Sequence, residues 1–171
     1  MEPKIITQEQ LTLVGFSFYG DPFRLSPGWT QENEIGRLWV RYGTYLEQHR
    51  EQLTPLLVEQ GISYEIHIYN EDTMATGLFE IFVGAQLVQS TQPPIDTVIK
   101  VLPATQYAVF KLQGEIIMGD WPQEIYQGWM PNSGYESAHN FHIQYHDGSF
   151  KGFDRLDESS LDVYVPVKPR L

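Results

Sequence analysis

One strand–helix–strand–strand pattern is written twice along this chain, and that repetition limits the available folds more than any single motif does. In the first half, "QLTLVGFSFYG" (10–20) is rich in β-branched and aromatic residues and closes on glycine, which predicts a strand. The segment 32–53 predicts a helix, because Ile35, Leu38, Trp39, Tyr42, Leu46 and His49 recur at three- and four-residue steps. "GISYEIHIY" (61–69) alternates strictly and predicts a strand, with Tyr64, Ile66 and Ile68 on one face and Glu65, His67 and Tyr69 on the other. "GLFEIFVGAQLV" (77–88) predicts another strand.

The order then recurs. "TQYAVFKLQG" (105–114) predicts a strand and 119–130 a short helix, with Asp120 as N-cap, Gln123 three positions later, and Pro122 in the tolerant first turn. Residues 135–146 and 161–167 predict two further strands. Strand–helix–strand–strand therefore occurs twice, in halves of about 1–89 and 103–171 joined by a connector at 90–102. The expectation is a single α+β domain over 1–171, built from duplicated βαββ units about a pseudo-twofold axis with a ligand cleft between the copies.

Composition removes several function classes. The chain has 171 residues and no cysteine, which excludes disulfides, thiolate nucleophiles and cysteine-based zinc sites. Its formal net charge is −11, with 11 basic residues scattered among 22 acidic ones, so direct nucleic-acid binding is not expected. No basic stretch leads into an apolar core at the N-terminus, and no apolar run approaches the roughly 20 residues of a spanning helix. A cytoplasmic protein without membrane contact is expected. His139, His142 and His146 suggest a metal, but His142 and His146 on an extended strand stand about 13 Å apart, too far for one ion, so no metal and no cofactor are expected. No nucleophile elbow, Walker loop or dinucleotide fingerprint is present.

The segments "LPATQYAVFKLQG", "WPQEIYQGWMPNSGYE", "HIQY" and "LDVYVPV" together resemble the GyrI-like small-molecule-binding family, the effector-binding domain of AraC- and MerR-type multidrug regulators. The resemblance implies a curved antiparallel sheet with helices on one face and a ligand cleft on the other. It implies that the glutamate of the Tyr-Glu step, Glu136, sits in that cleft among aromatic rings, and that the ligand is a hydrophobic or cationic aromatic molecule. Gln144 stands where many relatives carry a second acid.

Two other uses follow from the same resemblance. One is hydrolysis of electrophilic or strained-ring molecules, with Glu136 as general base. The other is acidic inhibition of a protein partner such as gyrase. Alternation puts Glu136 and Glu65 on the polar faces of their strands. Trp39 and Trp121 lie on helical stripes, and Phe16, Phe82, Phe110 and Tyr145 lie in strands, so these aromatics are the candidate cleft walls. A carboxylate among rings loses hydration, and ring faces attract a cation by about 0.5–2 kcal/mol each.

Overall fold

The computed structural model describes residues 1–28, 30–88 and 92–171; Trp29, the end of the expected first half and the start of the expected connector lie outside the described residues. Among the described residues there are nine strands: β1 (Lys4–Gln8), β2 (Leu11–Gly20), β3 (Ser63–Ile68), β4 (Phe79–Gln86), β5 (Val98–Leu102), β6 (Thr105–Gln113), β7 (Tyr135–Ser137), β8 (Phe141–His146) and β9 (Ser160–Pro169). They form one antiparallel sheet in the order β1-β6-β9-β8-β3-β4-β2-β5, with β7 also paired to β9.

That order forces the sheet to curl. Only Glu9 and Gln10 separate β1 from β2, yet the two strands stand six places apart. In a flat sheet six places would span about 29 Å at about 4.8 Å each, whereas the link from Gln8 to Leu11 reaches at most about 11 Å. Only Pro103 and Ala104 separate β5 from β6, which are also six places apart, so the same constraint applies. Each half thus sends its leading strand to the far edge: β1 pairs with β6 of the second half, and β5 pairs with β2 of the first. The pseudo-twofold runs between β3 and β8.

Sequence patterning assigns neither leading strand. β1 has only Ile5 and Ile6 as apolar residues, and β5 falls inside the expected connector, between Pro94 and Pro103. Each is stabilised by its sheet partner more than by its own periodicity.

The curl encloses one core and carries two others on its outside, one under each helix. Inside, Leu13, Ile66, Phe82, Leu102, Tyr107 and Ile143 pack together, bringing residues from both ends of the strand order into a single cluster. Outside, the first helix (Glu34–Gln48) covers β2 and β4 through Leu38 and Tyr42, packed on Phe16, Ile81 and Val83. The second helix covers β6 and β9 through Trp121, Ile125 and Met130, packed on Ala108, Phe110 and Val165. Each fully buried large apolar side chain of this kind contributes about 1.5–3 kcal/mol. At the Gly15–Gly84 pair of β2 and β4 the chains approach so closely that a Cβ on Gly15 would stand 2.0 Å from the Val83 carbonyl oxygen. Glycine is required there by space.

Both helices show their local causes. Asn33 caps the first, its side chain accepting the Gly36 N–H at 2.9 Å. It ends at Gln48, with His49 at its C-cap, so the expected segment 32–53 is a helix followed by the short turn Arg50–Leu53. The second starts at Trp121–Gln123, with Asp120 accepting the Gln123 N–H, widens into a π-helix over Glu124–Trp129, and closes with Met130–Asn132. Pro131 lacks an N–H and its ring crowds the carbonyl of residue 127, which accounts for the widening one turn earlier.

The expected strand 135–146 is two strands. Ser137 is opposite Val167 on β9, whereas Ile143 is opposite Tyr164. Three residues are therefore extra in the interruption around 138–140. An odd insertion reverses which face each side chain takes. Tyr135 and Ser137 face the helices, Ser137 Oγ reaching Met130 Sδ at 3.3 Å. Glu136 takes the opposite face from His142 and Gln144, although simple alternation grouped all three.

Candidate functional site

The two central strands meet with charged and polar residues under the helices. Glu65 on β3 is opposite Gln144 on β8, and His67 is opposite His142. Strand alternation turns these four toward the helix side, while Tyr64, Ile66, Ile143 and Tyr145 point into the curl. All four are buried; Glu65 and Gln144 are each 2% exposed. The helices therefore cover the polar face of these two strands, and the aliphatic face is turned into the curl.

Side chains from both helices converge on this patch. Trp39, from the first helix, donates its indole N–H to Glu65 Oε2 at 2.5 Å. Its ring lies 4.7 Å from that of His146. Trp121, from the second helix, stands edge-on to His142 at 5.2 Å and 88°. His67 Nε2 lies 2.6 Å from Glu65 Oε1, and Tyr69 Oη lies 3.4 Å from His142 Nδ1.

The electrostatics keep Glu65 ionised. Burial alone would raise its pKa, but the hydrogen bond and charge of His67, the charge of His146 and the Trp39 hydrogen bond outweigh burial, and the carboxyl stays below its ordinary value. Burial, with the nearby His67 charge, holds His142 well below the usual imidazole range. Burial likewise depresses His146, against the opposing pull of Glu65 and Asp147. Three buried polar atoms here have no protein partner: Gln144 Oε1, His142 Nε2 and His146 Nε2. Such atoms are costly unless something meets them.

The patch can hold a positive charge and offer hydrogen bonds around it, with two indole rings to either side. It is poorly suited to proton abstraction, since a carboxylate with a lowered pKa is a weakened base. Among the described residues, no three His, Asp or Glu side chains are grouped as a metal site requires.

The sequence candidates divide accordingly. Trp39, Trp121 and Glu65 come together here. Phe16 packs under the first helix, edge-on to Tyr45 at 5.2 Å with the Arg41 guanidinium 4.2 Å from its ring centre. Phe110 packs under the second, edge-on to Trp129 at 5.2 Å. Phe82 is fully buried inside the curl, and Tyr145 lines a cavity there. Glu136 does not reach an aromatic cleft. It lies on the short strand β7 opposite Lys168 and pairs with that ammonium at 3.1 Å, the side chains 44% and 58% exposed. The odd insertion before β8 is the physical reason. His67, His142, Gln144 and His146 are not among the ligand-binding residues expected from the sequence, and the paired patterns "EIH" and "HIQ" on adjoining strands are the available signal.

Residues 4–167 match the family described as Cass2, integron-associated effector binding protein. Among curated proteins, none matches the chain. Several solved structures share the fold, among them the three that follow. SAV2435 bound to tetraphenylphosphonium is 14% identical, with a TM-score of 0.62 over 98% of this chain and 94% of that one. The integron cassette protein VCH_CASS2 from Vibrio cholerae is 15% identical, with a TM-score of 0.57 over 98% and 96%. The EcmrR C-terminal domain is 11% identical, with a TM-score of 0.65 over 99% and 98%.

Proposed function

Because this chain belongs to the integron-associated effector-binding protein family, we propose that it binds a lipophilic organic cation between its two helices, with Glu65 as the countercharge. The observation that carries this reading is a carboxylate buried at the centre of the sheet, under Trp39 and beside three polar atoms without hydrogen-bond partners. That SAV2435 holds tetraphenylphosphonium supports the choice of ligand class.

Binding proceeds by substitution. Trp39 lies over Glu65, so the ligand enters as that indole swings aside, and its positive charge takes over the stabilisation that His67 and Trp39 supply. The displaced ring and Trp121 then flank the ligand, each face adding about 0.5–2 kcal/mol of cation–π attraction. Aromatic walls accept many shapes, which suits an effector site. Whether the complex sequesters the compound or signals it to a partner protein, the binding step is the same. The lowered pKa of Glu65 favours binding over general-base hydrolysis.

Tryptophan fluorescence tests this directly. Tetraphenylphosphonium is expected to quench it saturably, while the neutral triphenylphosphine oxide does so far more weakly. Equal response to both compounds contradicts a site built around a countercharge, and conversion of a bound compound to its hydration product by the wild type favours the hydrolytic reading.

A further inference from the structure

The inside of the curled sheet holds a cavity of about 160 Å³ that the reading above does not use. We infer that this cavity is a second, separate site, a tyrosine cage for a small quaternary ammonium group such as the head of a choline-like molecule.

Four tyrosines, Tyr64, Tyr107, Tyr145 and Tyr164, line it, with Gln8 and Ile143. Their rings run in an unbroken series. Tyr64 and Tyr145 are 5.5 Å apart at 77°, Tyr145 and Tyr164 are 5.6 Å apart, and Tyr164 and Tyr107 are 6.0 Å apart at 72°. The four rings bound one shared space, and a ring face turned to such a space attracts a cation.

Two further observations point to the ligand. Tyr107 is 1% exposed, and its hydroxyl has no partner in the protein. A buried hydroxyl of this kind calls for a hydrogen-bonding group in whatever fills the cavity. Asp162 is directly opposite Tyr145 on the neighbouring strand and so shares its face. Glu59 and Asp147 also act on these phenols. Burial chiefly, then Asp162 among the nearby groups, pushes Tyr164 up to about 12, and burial, Glu59, Asp147 and Asp162 all raise Tyr145. Lys111, on β6, is opposite Asp162 and sets one positive charge against these three carboxylates. A cavity on the order of 150 Å³ holds a benzene-sized group, which matches a trimethylammonium head with a short arm.

This site does not depend on Glu65, which lies on the other face of β3. The test is a titration with choline, tetramethylammonium and the neutral isostere 3,3-dimethylbutan-1-ol, followed by the ligand methyl resonances in NMR. Ring currents are expected to shift the choline methyl signal saturably at millimolar concentration, with the neutral isostere at least about tenfold weaker. Tyr107→Phe, which keeps the ring, is expected to bring choline down to the affinity of tetramethylammonium. Tyr164→Ala is expected to weaken both, and Glu65→Gln to change neither. Absence of saturable binding by either cation, equal binding of the neutral isostere, or loss of choline binding in Glu65→Gln overturns the inference.

Discussion

Trp39, on the outer helix, reaches Glu65 in the middle of the sheet and donates its indole N–H to that buried carboxylate. The contact ties a helix to the sheet through a charged group that has few other routes to solvation. Trp39→Phe keeps an aromatic ring and removes the donor. It is expected to cost about 1–3 kcal/mol, read as a lower urea midpoint at unchanged slope.

The buried histidines make stability depend on pH. His142 and His146 titrate lower in the folded chain than in the unfolded one, so the unfolded chain binds more protons below about pH 6.5. Their contribution is complete above that value and is lost as pH falls toward their folded pKa values. Glu65 adds a second loss at lower pH, since its depressed value makes its contribution present above about pH 4.3 and lost below. Urea unfolding between pH 7 and 5 is expected to show falling stability in the wild type and a flatter profile in His142→Gln.

β2 and β4 approach each other closely at the Gly15–Gly84 pair. A Cβ on Gly84 would stand 2.3 Å from the Val14 carbonyl oxygen. Gly84→Ala is expected to destabilise by at least about 1–3 kcal/mol through backbone displacement, whereas Gly43→Ala, in open space on the first helix, is expected to stabilise slightly. Thermal unfolding of the two variants separates these outcomes.

The Glu136–Lys168 pair is solvent-exposed and is expected to contribute between zero and about 1 kcal/mol. Lys168→Met is expected to leave both the unfolding midpoint and organic-cation binding near wild type.

Much of the architecture was legible from spacing. The alternation in "SYEIHI", the stripe through Leu38 and Tyr42, and the repeat of the βαββ order each reflect a local rule, and the corresponding elements are present. β1 and β5 were not legible, because their pairing is with strands of the opposite half and leaves little local pattern. The site was only partly legible. Trp39, Trp121 and Glu65 fell on the right stripes, but the three-residue interruption before β8 reversed the face of Glu136, and no periodicity within the strand shows such a break. His142 and His146 enter the sequence reading only as metal ligands and His67 only as a polar-face residue, whereas in the fold His142 and His67 stand directly opposite one another on neighbouring strands.

The most direct measurement is calorimetric titration of tetraphenylphosphonium into the wild type, Glu65→Gln and Glu136→Gln. Removing one partner of a buried charge pair costs about 2–5 kcal/mol, so Glu65→Gln is expected to lose most of the affinity while Glu136→Gln keeps it. Undiminished binding in Glu65→Gln, or loss in Glu136→Gln alone, contradicts the account.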